Sequence, residues 1–107
     1  MIEELVYAYL CTHHRGKDNL IKNKELRKIF DVNDDKSMRK VIQNIRQRDE
    51  FEESIGSISG KNGGFYICIT DSEEKQTEEN LTRRADEIYK TVDIMKRKWE
   101  KKKGLGE

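Results

Sequence analysis

The chain has no proline, only two cysteines, few aromatic residues and no long apolar segment. Its acidic N-terminus, Met1-Ile2-Glu3-Glu4, is not followed by an apolar run, so neither a signal peptide nor a membrane span is predicted. Cys11 and Cys68 are far apart and lack the C-x-x-C spacing of metal and redox sites. We expect them to be buried free thiols, which implies a reducing, cytoplasmic compartment.

Apolar residues make up only 34% of the 107 positions, so the chain has material for one small core. The net charge of +1 argues against a general polyanion binder, but the charges are unevenly distributed. Residues 15–48 contain eleven Lys and Arg against five Asp and Glu, a local net charge of +6. Residues 71–95 have a net charge of −4 and residues 96–103 one of +5. The segment 15–48 is therefore the basic part of a nearly neutral domain.

No group of residues has the pattern of a catalytic or metal site. His13 and His14 follow Cys11 closely, but a fourth ligand is missing, and adjacent histidines on a helix point in different directions. We interpret them as histidines near the negative end of a helix dipole. The acidic run 49–53 lacks the spacing of an EF-hand and any companion nucleophile, and is interpreted as a solvated turn. No enzymatic activity, metal or cofactor is predicted.

Three short segments have the apolar periodicity of core-facing helices. In residues 2–13 the apolar positions are Ile2, Leu5, Val6, Tyr9 and Leu10. In the helix that begins at Asn23 they are Leu26, Ile29 and Phe30. After a break at residues 31–33, Asp34 or Asp35 can cap a third helix. Its apolar face is Met38, Val41, Ile42 and Ile45.

A β-hairpin is predicted over residues 55–69, because its first arm has Ile55 and Ile58 among small residues and its second arm, residues 65–69, is rich in β-branched and aromatic residues. Residues 60–64, Gly-Lys-Asn-Gly-Gly, form its loop. Alternation places Phe65, Ile67 and Ile69 on one face, toward the core, with Tyr66 and Cys68 opposite. Residues 19–21 are a candidate third strand.

This order of helix, tight turn, helix and hairpin predicts the α+β class, as a winged helix-turn-helix with a two- or three-stranded wing sheet. The third helix leaves a set of hydrogen-bond donors for solvent: Ser37, Arg39, Lys40, Gln43, Asn44, Arg46 and Gln47. Arg can bind guanine edges with two hydrogen bonds, and Gln or Asn can do the same with adenine. Lys61 and Asn62 at the wing tip suit a phosphate or minor-groove contact. These nine residues are the candidate DNA-binding site.

From residue 71 the pattern changes to one long helix, which no glycine or proline interrupts before Gly104. Six residues spaced 4, 3, 4, 3 and 4 apart form a narrow apolar seam: Leu81, Ala85, Ile88, Val92, Met95 and Trp99. Such spacing is typical of a coiled coil and predicts a homodimer. The competing interpretation folds the helix back over the first helix, and Tyr89 and Ile94 are the hints of the broader stripe that this would need. The predicted organisation is a winged-helix domain (1–70), a long dimerisation helix (71–103) and a disordered tail (104–107).

The chain resembles the small winged helix-turn-helix proteins of phages and prophages of Gram-positive bacteria. The likeness rests on the opening Glu-Glu-Leu-Val-Tyr-Ala-Tyr-Leu (3–10), on Asn23-Lys24-Glu25-Leu26, on the wing at 55–69 and on the Glu-rich C-terminal helix. In architecture it is also similar to replication-terminator proteins, in which a dimerising helix follows a winged helix. The resemblance implies sequence-specific binding of double-stranded DNA in transcription or replication.

Two functions compete at this point. The first is a cytoplasmic homodimer that binds double-stranded DNA and regulates transcription or replication. The second is a small phage-encoded inhibitor, similar to anti-CRISPR proteins, that uses the winged helix for protein–protein interaction with host machinery. The near-neutral net charge and the acidic segments 49–53 and 71–79 fit the second better. Neither involves a membrane.

Overall fold

The computed structural model describes residues 1–105. The first part of the chain forms α1 (Ile2–His13), a 3-10 turn (Lys17–Asn19), α2 (Asn23–Phe30) and α3 (Asp35–Arg46). Strands β1 (Ile55–Ile58) and β2 (Gly64–Ile67) and the long helix α4 (Asp71–Leu105) follow. The predicted α+β class is confirmed. Two compact units are present, one of Met1–Thr77 and one that begins at Glu78, so the division falls inside α4.

Helices α2 and α3 are joined by residues 31–34. Asp31 ends α2 in the left-handed conformation, with φ of 54°, which few residues other than Gly, Asn and Asp adopt. Asp34 starts α3, because its Oδ1 accepts a hydrogen bond of 2.7 Å from the backbone N–H of Ser37. This bond also holds the pKa of Asp34 below its ordinary value. The break and the cap lie where the sequence predicts them.

The core of the first unit lies between α1, α2, α3 and the β-hairpin. All four residues of the apolar face predicted for α3 are buried: Met38, Val41, Ile42 and Ile45. Val6 and Leu10 of α1 and Leu26 of α2 are also buried. Leu5 and Ile29 were expected there too, but they are 61% and 48% exposed. That expectation is wrong, because both residues lie at the edge of their stripes and the small core does not reach them.

Strand β2 is hydrogen-bonded along both of its edges. On one edge it pairs antiparallel with β1, with Ile55 opposite Ile67. On the other edge, Ile21 and Phe65 exchange two backbone hydrogen bonds of 2.9 Å. The candidate third strand is thus reduced to an isolated bridge at Ile21, since the residues before it form the 3-10 turn.

The two faces of β2 are both buried. Phe65 and Ile67 belong to the core, as the alternation predicts. Tyr66, on the opposite face, is also fully buried, and its ring lies against Gly56, where an added Cβ would be 2.4 Å from the ring carbon Cζ. Ile69 is 56% exposed, so its predicted core position is wrong. The strand ends at Ile67, and the chain then turns toward α4.

The first turns of α4 are bonded to the rest of the first unit. The carboxylate of Glu73 accepts hydrogen bonds from the backbone N–H groups of Ile69 (2.8 Å) and Lys17 (2.9 Å). Thr77 is buried, and its Oγ1 accepts a hydrogen bond of 3.4 Å from the N–H of Ser57 in β1. These contacts fix where α4 begins.

The C-terminal helix begins at the predicted residue, Asp71, and ends at Leu105, two residues beyond the predicted end. Of the tail expected to be disordered, residues 104 and 105 are helical, and residues 106 and 107 lie outside the described part of the chain. Among residues 1–105, no helix has both the length and the apolar character needed to cross a bilayer.

Candidate nucleic-acid interface

The outer face of α3 is the first element of the candidate site. Because successive helical residues are about 100° apart, burial of the four apolar residues fixes which side chains point directly away from the core. These are Lys36, Lys40, Gln43 and Gln47, all of them exposed. Lys36 was not among the predicted site residues. It could have been found, since it precedes Lys40 by one helical turn on the same face.

Part of this face forms an open depression of the surface. Its lining residues are Lys36, Ser37, Arg39, Lys40 and Gln43. Four of these five residues were predicted to bind DNA, and the structure brings them together. Three cationic side chains, a hydroxyl and an amide on one helix can donate to phosphate and base-edge acceptors.

Arg39 lies at the edge of this face and is 62% exposed. Its guanidinium pairs with the carboxylate of Asp35 one turn earlier, at 2.7 Å. An ion pair between exposed side chains on a helix contributes little to stability. Arg39 can therefore exchange Asp35 for a phosphate or a base at small cost.

Arg46 is not part of the exposed face, contrary to the prediction. It is half-buried, and its guanidinium donates to the backbone oxygen of Ile55 and to Oγ of Ser57, both at 3.0 Å. Arg46 thus holds the C-terminal end of α3 against β1. Spacing along α3 does not reveal this placement, because Arg39 lies on the same edge of the apolar face and stays exposed.

The side chain of Asn44 was also predicted to face solvent, and it does not. It is half-buried, and its Nδ2 donates to the carboxylate of Glu3 in α1 at 3.2 Å. This hydrogen bond is the main reason that the pKa of Glu3 is lowered. Asn44 therefore joins α3 to α1, whereas Gln47, at the C-terminal cap of α3, stays exposed.

The hairpin loop is the second element of the site. Lys61 and Asn62 are exposed, and the backbone N–H of Gly63 donates to the oxygen of Gly60 at 3.0 Å. Gly60 has a φ of 101°, which favours glycine. At Gly63 an added Cβ would lie 1.9 Å from the carbonyl oxygen of Ile58. The glycines thus fold the loop tightly and leave Lys61 at its surface.

The predicted dimerisation residues lie on one side of α4, in the second unit. All six are exposed: Leu81, Ala85, Ile88, Val92, Met95 and Trp99. The exposed fraction reaches 64% for Ile88 and Met95. Tyr89 and Ile94 beside the seam are also exposed. A connected row of large apolar side chains on a solvated helix is typical of an interaction surface.

The histidine and cysteine side chains near the end of α1 have contacts within the chain. Nδ1 of His14 lies 2.7 Å from the backbone oxygen of Asn19, and Sγ of Cys11 donates to the Glu53 carboxylate at 3.6 Å. Within residues 1–105, no three His, Cys, Asp or Glu side chains are grouped as metal ligands would be. Both cysteines are free and half-buried, and burial raises the pKa of the Cys68 thiol to about 11.

No family model, no curated protein and no solved structure matches this chain.

Proposed function

We propose that this chain is a winged helix-turn-helix protein that binds double-stranded DNA as a homodimer. Helix α3 enters the major groove, and the hairpin loop contacts an adjacent phosphate. The observation that carries the proposal is the outer face of α3, where three cations, a hydroxyl and an amide line one depression while the opposite face is buried. In this view the protein regulates transcription or replication, as the resemblance to phage proteins implies.

The order of the elements supports this proposal. Helix α2 packs on α3, as in a helix-turn-helix, and the β-hairpin follows directly. The bonds from Arg46 to β1 connect α3 to the hairpin. A helix and a loop that are held together in this way can contact one duplex without first being ordered, which lowers the entropic cost of binding.

The exposed side chains suit two kinds of contact. Lys36, Lys40 and Lys61 are point charges on the surface, suited to phosphates and to affinity for any sequence. The planar end groups of Gln43 and Arg39 can each form two hydrogen bonds with one base edge, Gln43 with adenine and Arg39 with guanine. We assign sequence preference to these two residues and general affinity to the lysines.

The acidic segment 49–53 is one of the features that favoured a host-protein partner. The Glu53 carboxylate pairs with both terminal nitrogens of Arg15, one of them at 2.7 Å, and Arg15 lowers the pKa of Glu53. Glu50 pairs with Arg48. Because these carboxylates already have partners within the chain, the segment offers less charge to another protein, which supports DNA as the ligand.

Fluorescence anisotropy with labelled duplexes tests the proposal. The wild-type protein is titrated with random-sequence DNA and with the DNA that flanks its own gene, over a range of salt concentrations. Lys36→Ala/Lys40→Ala should weaken binding and flatten the log–log salt dependence by roughly two units, because two phosphate contacts are lost. Arg39→Ala/Gln43→Ala should reduce the preference between duplexes.

A matched control is available on α4, where Lys75 and Lys90 are exposed. Lys75→Ala/Lys90→Ala removes the same charge without touching α3. If both double variants weaken binding equally, the effect is one of net charge and α3 is not the interface. Absence of any duplex binding near physiological salt would overturn the proposal in favour of a protein partner.

A further inference from the structure

We infer that two copies of α4 pair in antiparallel orientation, with Glu78 of each copy opposite Lys102 of the other. The inference rests on the homodimer proposed above but not on DNA binding. It assigns an occupant to the exposed apolar seam of α4 and predicts the register in which the two copies meet.

The seam continues by one charged residue at each end. Glu78 precedes Leu81 by three residues, and Lys102 follows Trp99 by three, so both continue the alternating spacing of three and four. Both are exposed. The Nζ of Lys102 lies 5.9 Å from the centre of the Trp99 ring, on the same side of the helix. An acidic residue therefore ends the seam on one side and a basic residue on the other.

Parallel pairing in register would place each of these residues opposite its own copy. Glu78 would face Glu78 and Lys102 would face Lys102, which puts like charges together at both ends. Ala85 would face Ala85, and Trp99 would face Trp99. The interface would then be underfilled at one layer and overfilled at another, and both defects are destabilising.

Antiparallel pairing removes these conflicts. When Ile88 of one copy faces Val92 of the other, the register of all other facing pairs is fixed, because the two residue numbers of each pair must add to the same sum. The remaining layers then pair Ala85 with Met95, Leu81 with Trp99 and Glu78 with Lys102. A small residue faces a large flexible one, and each charge faces its opposite.

Neighbouring antiparallel registers are less favourable. A shift of one heptad in one direction places Met95 opposite Glu78 and Trp99 opposite Glu74. A shift in the other direction places Ala85 opposite Lys102. Either shift puts an apolar residue opposite a charged one. Only the register with Ile88 opposite Val92 pairs all six apolar residues of the seam with each other.

The wider charge distribution agrees with this choice. Residues 96–103 have a net charge of +5, and parallel pairing would bring two such segments together. In the antiparallel register they lie beside residues 77–84 of the other copy, which have equal numbers of Glu and Arg. Repulsion at the end of the helix pair is therefore reduced. The helix dipoles also oppose each other in this orientation.

Charge reversal at the ends of the seam distinguishes the two orientations. The dimer dissociation constant is measured by sedimentation for the parent, for Glu78→Lys, for Lys102→Glu and for the double variant. In the antiparallel pair each single change converts two attractive contacts into repulsive ones, which should weaken the dimer roughly tenfold or more. The double variant exchanges the charges and should restore parental affinity.

In a parallel pair the same single changes replace one like-charge contact by another, so they would leave the dissociation constant unchanged. Glu87→Lys and Lys90→Glu are matched controls, because they make the same charge changes on the outer side of α4. A parent protein that is monomeric would overturn both the homodimer and this inference. A dimeric parent that is insensitive to both single changes would overturn the orientation alone.

Cross-linking gives a second measurement that does not depend on charge. Ala85→Cys and Met95→Cys are made in separate copies and mixed, and disulfides formed under an added oxidant are identified by peptide mass spectrometry. The antiparallel pair should give the mixed 85–95 product. A predominant 85–85 or 95–95 product would contradict it, because those positions are about 15 Å apart along the axis of an antiparallel pair.

Discussion

Replacement of Arg46 by alanine should destabilise the fold, although the sequence placed this residue at the DNA surface. The change removes the hydrogen bonds from the guanidinium to the Ile55 oxygen and to Ser57 Oγ. Hydrogen bonds from a charged group contribute about 1.5–3 kcal/mol each, and partial exposure reduces this value. We expect a total loss of about 2–3 kcal/mol in the free energy of unfolding.

Urea unfolding followed by circular dichroism measures this effect. With a denaturant dependence of about 1–2 kcal/mol per molar urea for a domain of this size, the midpoint should fall by roughly 1–3 M. Arg46→Lys retains the charge but cannot form both bonds in the same geometry, so it should also be destabilised. Arg39→Ala is the comparison, and it should cost less than about 0.5 kcal/mol, because it breaks only an exposed ion pair.

Substitution of the two arginines should thus have different effects on DNA affinity and on stability. Arg39→Ala should lower DNA affinity at unchanged stability, and Arg46→Ala should lower stability first. An Arg46→Ala protein with the urea midpoint of the parent and weaker DNA binding would refute this reasoning. It would return Arg46 to the interface and mean that the bonds to β1 are not maintained in solution.

Three further changes have defined outcomes. Lys61→Ala should weaken binding to all duplexes by similar factors and flatten the log–log salt slope by roughly one unit, since it removes one phosphate contact; loss of affinity for a single sequence would contradict this. Gly63→Ala should lower the thermal midpoint, because its Cβ would lie 1.9 Å from a backbone oxygen of β1; an unchanged midpoint would mean that the loop adjusts freely. Hydrogen bonds from the N–H groups of Ile69 and Lys17 lower the pKa of Glu73. The stability that they contribute is present above the ordinary Glu pKa of 4.5 and is lost as the pH falls through the lower folded value. Glu73→Gln should therefore lose less stability on acidification than the parent does, as urea midpoints at neutral and acidic pH would show.

The local sequence pattern is sufficient to predict helix α3 and its buried face. It is not sufficient to predict which of the polar side chains of α3 face solvent. The four apolar residues at helical spacing are buried as expected, since periodicity alone decides which side of a helix faces a core. Arg46 and Asn44 lie at the two edges of that side. Their direction depends on where β1 and α1 pack, and no property of α3 by itself contains that information.

The end of β2 shows a different limit. Alternation in the sequence continues through Ile69, but the strand ends at Ile67. The backbone N–H of Ile69 donates to Glu73, four residues later, and the N–H of Glu73 donates to Oγ1 of Thr70. Local side-chain bonds of this kind compete with a strand where the next helix begins, and alternation alone does not reveal them.

The small number of exposed cations at the candidate site makes the salt dependence of binding a test of the proposed dimer. In the proposed interface one copy offers four cations at most, Lys36, Arg39, Lys40 and Lys61, which gives a log–log salt slope near −4 if Arg39 contacts a phosphate as well as a base. Two copies joined through α4 double that number, and the slope approaches about −7. The second copy also binds from a high effective concentration, which raises affinity without new contacts. For the proposed interface we therefore expect tight binding from a dimer joined through the seam and weaker binding from a single copy. The salt slope then counts the copies on the duplex, and a slope near −4 for a protein that is dimeric in solution would show that only one α3 is engaged.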